Sequence, residues 1–170
     1  MTRFIIRFVI AILLTPLAQA GFASETANIS EADAPRPYDE TANARADIDA
    51  AMASARNNGT RLLLVMGANW CHDSRGLAAR FERPKFVSLI EEHYELVYID
   101  VGEKDRNIDI AQSYGIDGIV GTPTILVVTA DGVLLNKATA PTWRNAASRT
   151  EAETLNYFTA YSKGIITEGN

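Results

Sequence analysis

The sequence predicts an α/β fold, a mixed central β-sheet flanked by helices on both faces. Residues 62–66 are apolar without a break and of strand length, as in a strand buried on both sides. Residues 94–101 (Tyr-Glu-Leu-Val-Tyr-Ile-Asp-Val) read as a second buried strand, and helical patterns lie before, between and after the two. Alternation of this type implies a sheet covered by helices. At 170 residues the chain suits one domain with a sizeable core. Its 47% apolar and 22% charged residues are those of an ordered globular protein.

Residues 1–20 carry Arg3 and Arg7, then an apolar run at 8–14, and end in the small-x-small triplet Ala18-Gln19-Ala20. This is the layout of a secretory signal peptide cleaved after Ala20, with Ala23 as second choice. The run is short for a membrane span and Pro16 interrupts it, so no membrane attachment is expected after cleavage. The expected location is periplasmic or secreted. Residues 21–39 are small, polar and marked by Pro35 and Pro37, which predicts a flexible leader. The domain proper is expected over 40–170. Residues 40–58 place Ile48, Met52 and Ala55 at helical spacing, and Asn57-Asn58-Gly59 supplies the stop.

The strand at 62–66 leads into Gly67-Ala68-Asn69-Trp70-Cys71-His72-Asp73-Ser74, which opens a helix marked by Leu77, Ala78 and Phe81. Pro84 begins another, with Phe86, Val87, Leu89 and Ile90 on its buried side. After the strand at 94–101, a charged stretch at 102–106 precedes a short helix at 107–114. Thr122-Pro123 introduces a β-branched strand at 124–129, and Ala130-Asp131-Gly132 turns it into a hairpin partner at 133–135. Residues 150–163 close the chain as a helix, with Ala152, Leu155, Phe158 and Tyr161 along one stripe.

A net charge of −5 provides no basic field for phosphates, so no nucleic-acid partner is expected. The single cysteine, Cys71, excludes an intramolecular disulfide, and with His72 and His93 as the only histidines no metal site is expected. Cys71 falls at a helix start, where unpaired amides and the positive end of the dipole favour thiolate over thiol. The hydroxyl of Ser74, one turn on, can donate a hydrogen bond to the sulfur. His72 would add positive charge and Asp73 would oppose it, so their joint effect has no fixed sign. The competing readings are an inert buried thiol for Cys71 and a solvated helix start for His72 and Asp73.

Three features coincide: Trp70-Cys71-His72-Asp73-Ser74 after a buried strand, Tyr114-Gly115-Ile116 downstream, and Thr122-Pro123-Thr124 before a strand and its Asp131-Gly132 hairpin. Together they resemble the thioredoxin superfamily, directly over roughly residues 60–136. The resemblance implies a thioredoxin-like fold without a bound cofactor, with Cys71 as the active thiol and Pro123 as a cis-proline whose loop lies against it. It further implies that Thr122 and Pro123 meet an extended thiol-bearing ligand, with His72 nearby. Trp70 would shield the sulfur and offer an apolar platform; plain core packing is its competing reading. Two departures stand out. Ser74 occupies the place of the second cysteine of dithiol members, and Val65 that of a buried acid. The segment 118–121 is also longer than the usual approach to the proline, which would reshape the substrate groove.

A lone thiol cannot resolve its own mixed disulfide. The expected function is therefore exchange through Cys71, with an external thiol such as glutathione as co-substrate and thiol- or disulfide-bearing exported proteins as partners. The alternative is a non-enzymatic thioredoxin-fold binding or chaperone-like module. A metal site or a hydrolase built from Cys71 or Ser74 with His72 is disfavoured, because close neighbours on a helix point in different directions.

Overall fold

In a computed structural model, which describes residues 34–162, the uninterrupted apolar run becomes strand β1 (Arg61–Gly67). Leu62, Leu63, Leu64, Val65 and Met66 are all 0% exposed, so this strand has no solvent face. The expected signal segment and residues 21–33 of the leader lie outside the described residues. β1 pairs parallel with β2 (Tyr94–Asp100), from Arg61↔Tyr94 to Gly67↔Asp100. On its other side it pairs antiparallel with β3 (Thr124–Val128), from Leu62↔Val128 to Met66↔Thr124. The sheet is mixed, in the order β2-β1-β3.

Strand periodicity divides the core in two. Leu62, Leu64 and Met66 join Val97, Ile99, Leu126 and Val128 on one face, covered by α1 (Ala44–Asn58) and by α4 (Ile108–Ser113). Leu63 and Val65 join Ile125 and Val127 on the other, covered by α2 (His72–Phe81), α3 (Pro84–His93) and α5 (Glu151–Ser162). The local signals explain the helix ends. Asn43 caps α1 by accepting from the Ala46 N–H, and Gly59 ends it in the left-handed region at φ 70°. Pro84 opens α3, where its missing N–H costs nothing. No helix among the described residues is long and apolar enough to cross a membrane.

The structure departs from the sequence reading in three places. First, residues 34–39, the end of the expected flexible leader, are packed down. Tyr38 is 1% exposed and meets Tyr98 edge-on, with ring centroids 5.3 Å apart. The side-chain amide of Asn69 holds this strap at both backbone groups of Tyr38, accepting from its N–H at 3.2 Å and donating to its carbonyl at 2.7 Å. A segment held by such contacts needs no periodicity, so none is visible in its sequence.

Second, the hairpin partner expected at 133–135 is reduced to one bridge, Val128↔Leu134. The turn itself forms, with Gly132 at φ 89° and its N–H on the Thr129 carbonyl. Beyond Leu135, the buried side chain of Asn136 takes the positions a strand would fill: it accepts from the Val127 N–H at 2.9 Å and donates to the Ile125 carbonyl at 2.8 Å. Third, residues 140–148, for which no element was expected, form a 3-10 segment (Ala140–Ser148). Its Trp143 is fully buried and stacks on Phe158 at 5.0 Å. Arg80 of α2 ties the segment down, donating to the Ala146 and Arg149 carbonyls and to Thr154 Oγ1.

Asn136→Ala should lower the unfolding free energy by about 3 kcal/mol, because it leaves the Val127 N–H buried without an acceptor. Chemical denaturation measures this; a loss within the ordinary surface range of ~0.5 kcal/mol would show that the edge of β3 does not depend on the amide.

Candidate functional site

β1 ends at Gly67, and the chain reaches α2 through residues 68–70. Cys71 is the N-cap residue of α2 in an extended conformation (φ −83°, ψ 120°), its carbonyl accepting from the Arg75 N–H at 3.1 Å. Its side chain does not cap the helix. Sγ instead donates to the Thr122 carbonyl at 3.2 Å, and the thiol is 9% exposed. The Thr122–Pro123 peptide is cis, and both residues are buried. Their loop is steadied from two sides. Thr124 Oγ1 donates to the Gly121 carbonyl at 2.9 Å, and Gly121 packs so closely on Arg144 that a side-chain carbon there would lie 2.7 Å from its Cβ. In the long approach to the proline, Ile119 turns inward while Val120 is 64% exposed.

The other sequence-derived candidates lie around this contact. Trp70 is 52% exposed, so it is not a core residue; its Nε1–H donates to the Gly102 carbonyl at 3.0 Å. The ring borders a cleft of about 340 Å³ that also involves Arg36, Asp100 and Arg106. His72 is exposed at the first position of α2. Asp73 braces the fold, since its Oδ1 accepts the Ala147 N–H at 2.8 Å and so joins the start of α2 to the 3-10 segment.

Ser74 does not make the expected hydrogen bond to sulfur. It is 0% exposed, and its Oγ has no hydrogen-bond partner. The reason is geometric: the thiol spends its proton on Thr122, while Ser74 Oγ sits beside Gly67 and the phenol of Tyr38. A side-chain carbon at Gly67 would lie 2.6 Å from Ser74 Oγ and 2.7 Å from the Tyr38 hydroxyl, so only glycine leaves room for the two. Burial, then the Tyr98 phenol, push Tyr38 well above its ordinary value. The adjacent Ser74 hydroxyl works in the opposite sense, although the two groups are not in hydrogen-bonding geometry.

Tyr38 and Asn69 are the site residues that sequence reasoning missed. The available signal was a lone tyrosine in a small, proline-marked stretch and an amide two residues before the cysteine. Among the described residues, no group of three or more His, Cys, Asp or Glu side chains could hold a metal ion.

A thiol at a helix start, set against a proline loop at the end of a mixed sheet, is the layout of a thioredoxin-type domain. The chain belongs to the thioredoxin-like family, whose model matches residues 43–130. Among solved structures it is similar to a disulphide isomerase from Xylella fastidiosa Temecula1, with 35% identity and a TM-score of 0.69 over 76% of this chain and 98% of that one. It also aligns with a protein of unknown function from Pseudomonas aeruginosa, at 16% identity and a TM-score of 0.42, over 73% of this chain and 86% of that one. No curated protein matches the chain.

Asn69→Ala removes both side-chain bonds to the strap. Hydrogen–deuterium exchange over residues 34–40 should then quicken by roughly tenfold, the effect of losing ~1–2 kcal/mol of local stability. Unchanged exchange would mean that Tyr38 packing alone holds the strap.

Proposed function

We propose that the protein is a thiol–disulfide oxidoreductase that works through Cys71 alone. The observation that carries this reading is the placement of the chain's one cysteine at the N-cap of α2, with its sulfur against the Thr122 carbonyl. The likeness to a disulphide isomerase supports it.

In the reaction, the Cys71 thiolate attacks one sulfur of a substrate disulfide. A Cys71–substrate disulfide forms, the substrate's own S–S bond breaks, and the second substrate sulfur leaves as thiolate to take a proton from water. Since no second cysteine is present, an external thiolate, glutathione in this reading, must attack the substrate sulfur of that mixed disulfide. Cys71 then leaves as thiolate and the cycle closes without net gain or loss of electrons by the protein.

Once Sγ has lost its proton, the Thr122 carbonyl no longer has its partner and becomes available to a backbone N–H of an extended substrate. Trp70 and Val120, the exposed large hydrophobic residues among those described, stand one residue before Cys71 and two before Thr122 and would give that substrate apolar contact. His72, exposed at the start of α2, extends the proposed contact surface, with buried Pro123 beside Thr122. With residues 1–20 read as a signal peptide, the protein acts in the periplasm or outside the cell on exported proteins bearing thiols or disulfides, and engages neither nucleic acid nor membrane.

In a glutathione-coupled disulfide assay, Cys71→Ala should fall to the uncatalysed rate. Equal rates for variant and wild type would remove thiol exchange and leave the binding or chaperone-like reading.

A further inference from the structure

Behind Cys71 lie two hydroxyls that are fully enclosed and make no hydrogen bond, those of Ser74 and Tyr38. Both press on Gly67, and Tyr38 belongs to the apolar cluster that holds Leu63, Val65 and Leu77, with the Tyr98 phenol and Cys71 near its hydroxyl. Buried polar groups are satisfied in the great majority of cases, and an orphaned pair beside a reactive atom calls for a chemical explanation. The protonation state of Cys71 supplies one. As a thiol, the sulfur donates to Thr122 and has no need of donors. As a thiolate it cannot donate, the Thr122 carbonyl becomes a poor neighbour, and the sulfur requires hydrogen-bond donors instead. Ser74 stands one helical turn along on the same helix, and Tyr38 lies directly against Ser74.

We propose that Tyr38, delivered by the strap at 34–40, is a positioning residue for the Cys71 reaction: its hydroxyl donates to Ser74 Oγ, which in turn donates to the Cys71 thiolate. This rests on the exchange reading above and adds a residue from outside the matched family region. The two hydrogen bonds form as Cys71 becomes the attacking thiolate and again as it departs from the mixed disulfide. They break when the sulfur is a thiol or is bonded to substrate. No proton or electron passes along the pair. Burial keeps the phenol protonated and therefore able to donate.

The test follows reaction of the protein with a small aromatic disulfide, dithionitrobenzoate, as a function of pH, beside the thermal midpoint. Tyr38→Phe retains the ring packing and Ser74→Ala the helix. Each should slow attack by Cys71 roughly tenfold near neutral pH and move the pH–rate profile upward, as expected for losing a hydrogen bond to a charged group. The double variant should be no slower than Ser74→Ala alone, because the donors act in series. Neither midpoint should fall, since neither hydroxyl has a partner to lose. Wild-type rates and profile in Tyr38→Phe, or a midpoint that falls with the rate, would overturn the proposal. The reagent needs neither substrate nor resolving thiol, so this result reads separately from the coupled assay that tests the exchange reading.

Discussion

The burial of β1 on both faces is the constraint from which the rest of the structure follows. A strand whose five central residues are all fully enclosed needs a hydrogen-bonded neighbour on each edge and an apolar layer on each side. β2 and β3 meet the first need; α1 and α4 on one face and α2, α3 and α5 on the other meet the second. β1 ends at Gly67, the chain reaches solvent at Trp70, and Cys71 caps the helix that starts at His72. The buried thiol thus sits where the chain turns from the central strand into its first covering helix.

Three separated segments converge at that point. The start of α2 brings Cys71 and Ser74, the loop before β3 brings the Thr122 carbonyl, and the strap brings Tyr38. Each is held by a polar side chain that imitates backbone or bonds to it. Asn69 pairs with both backbone groups of Tyr38, Asp73 accepts from Ala147, and Asn136 completes the edge of β3. These bonds are buried or partly buried, and those of Asn69 and Asp73 bridge distant parts of the chain, so they fix geometry more firmly than exposed ion pairs such as Arg83–Glu151.

What was legible in the sequence follows from what is repetitive in the structure. The apolar run of β1, the aromatic and aliphatic residues of β2, the alanine-rich α1 with its glycine stop, and the proline start of α3 all announce themselves because each depends on local pattern. Cys71, Trp70, Thr122 and Pro123 were readable as a constellation, since motif and spacing survive in one dimension. The strap, the reduced fourth strand and the 3-10 segment were not. Each is decided by contacts across the fold, through Asn69, Asn136 and Arg80 respectively, and a single side-chain amide or guanidinium leaves no periodic trace. Ser74 shows the same limit at the scale of one bond: helical spacing places it a turn from the sulfur, while its actual neighbours, Gly67 and Tyr38, are visible only in three dimensions.

The central claim is that Cys71 captures a partner's sulfur and releases it to an external thiol. Intact-mass measurement of the folded protein treated with glutathione disulfide, then with reduced glutathione, tests it most directly. One glutathione per chain is expected, carried on Cys71 and removed by the second treatment. A folded chain that stays unmodified while the unfolded chain reacts, or an adduct that reduced glutathione cannot remove, would contradict it.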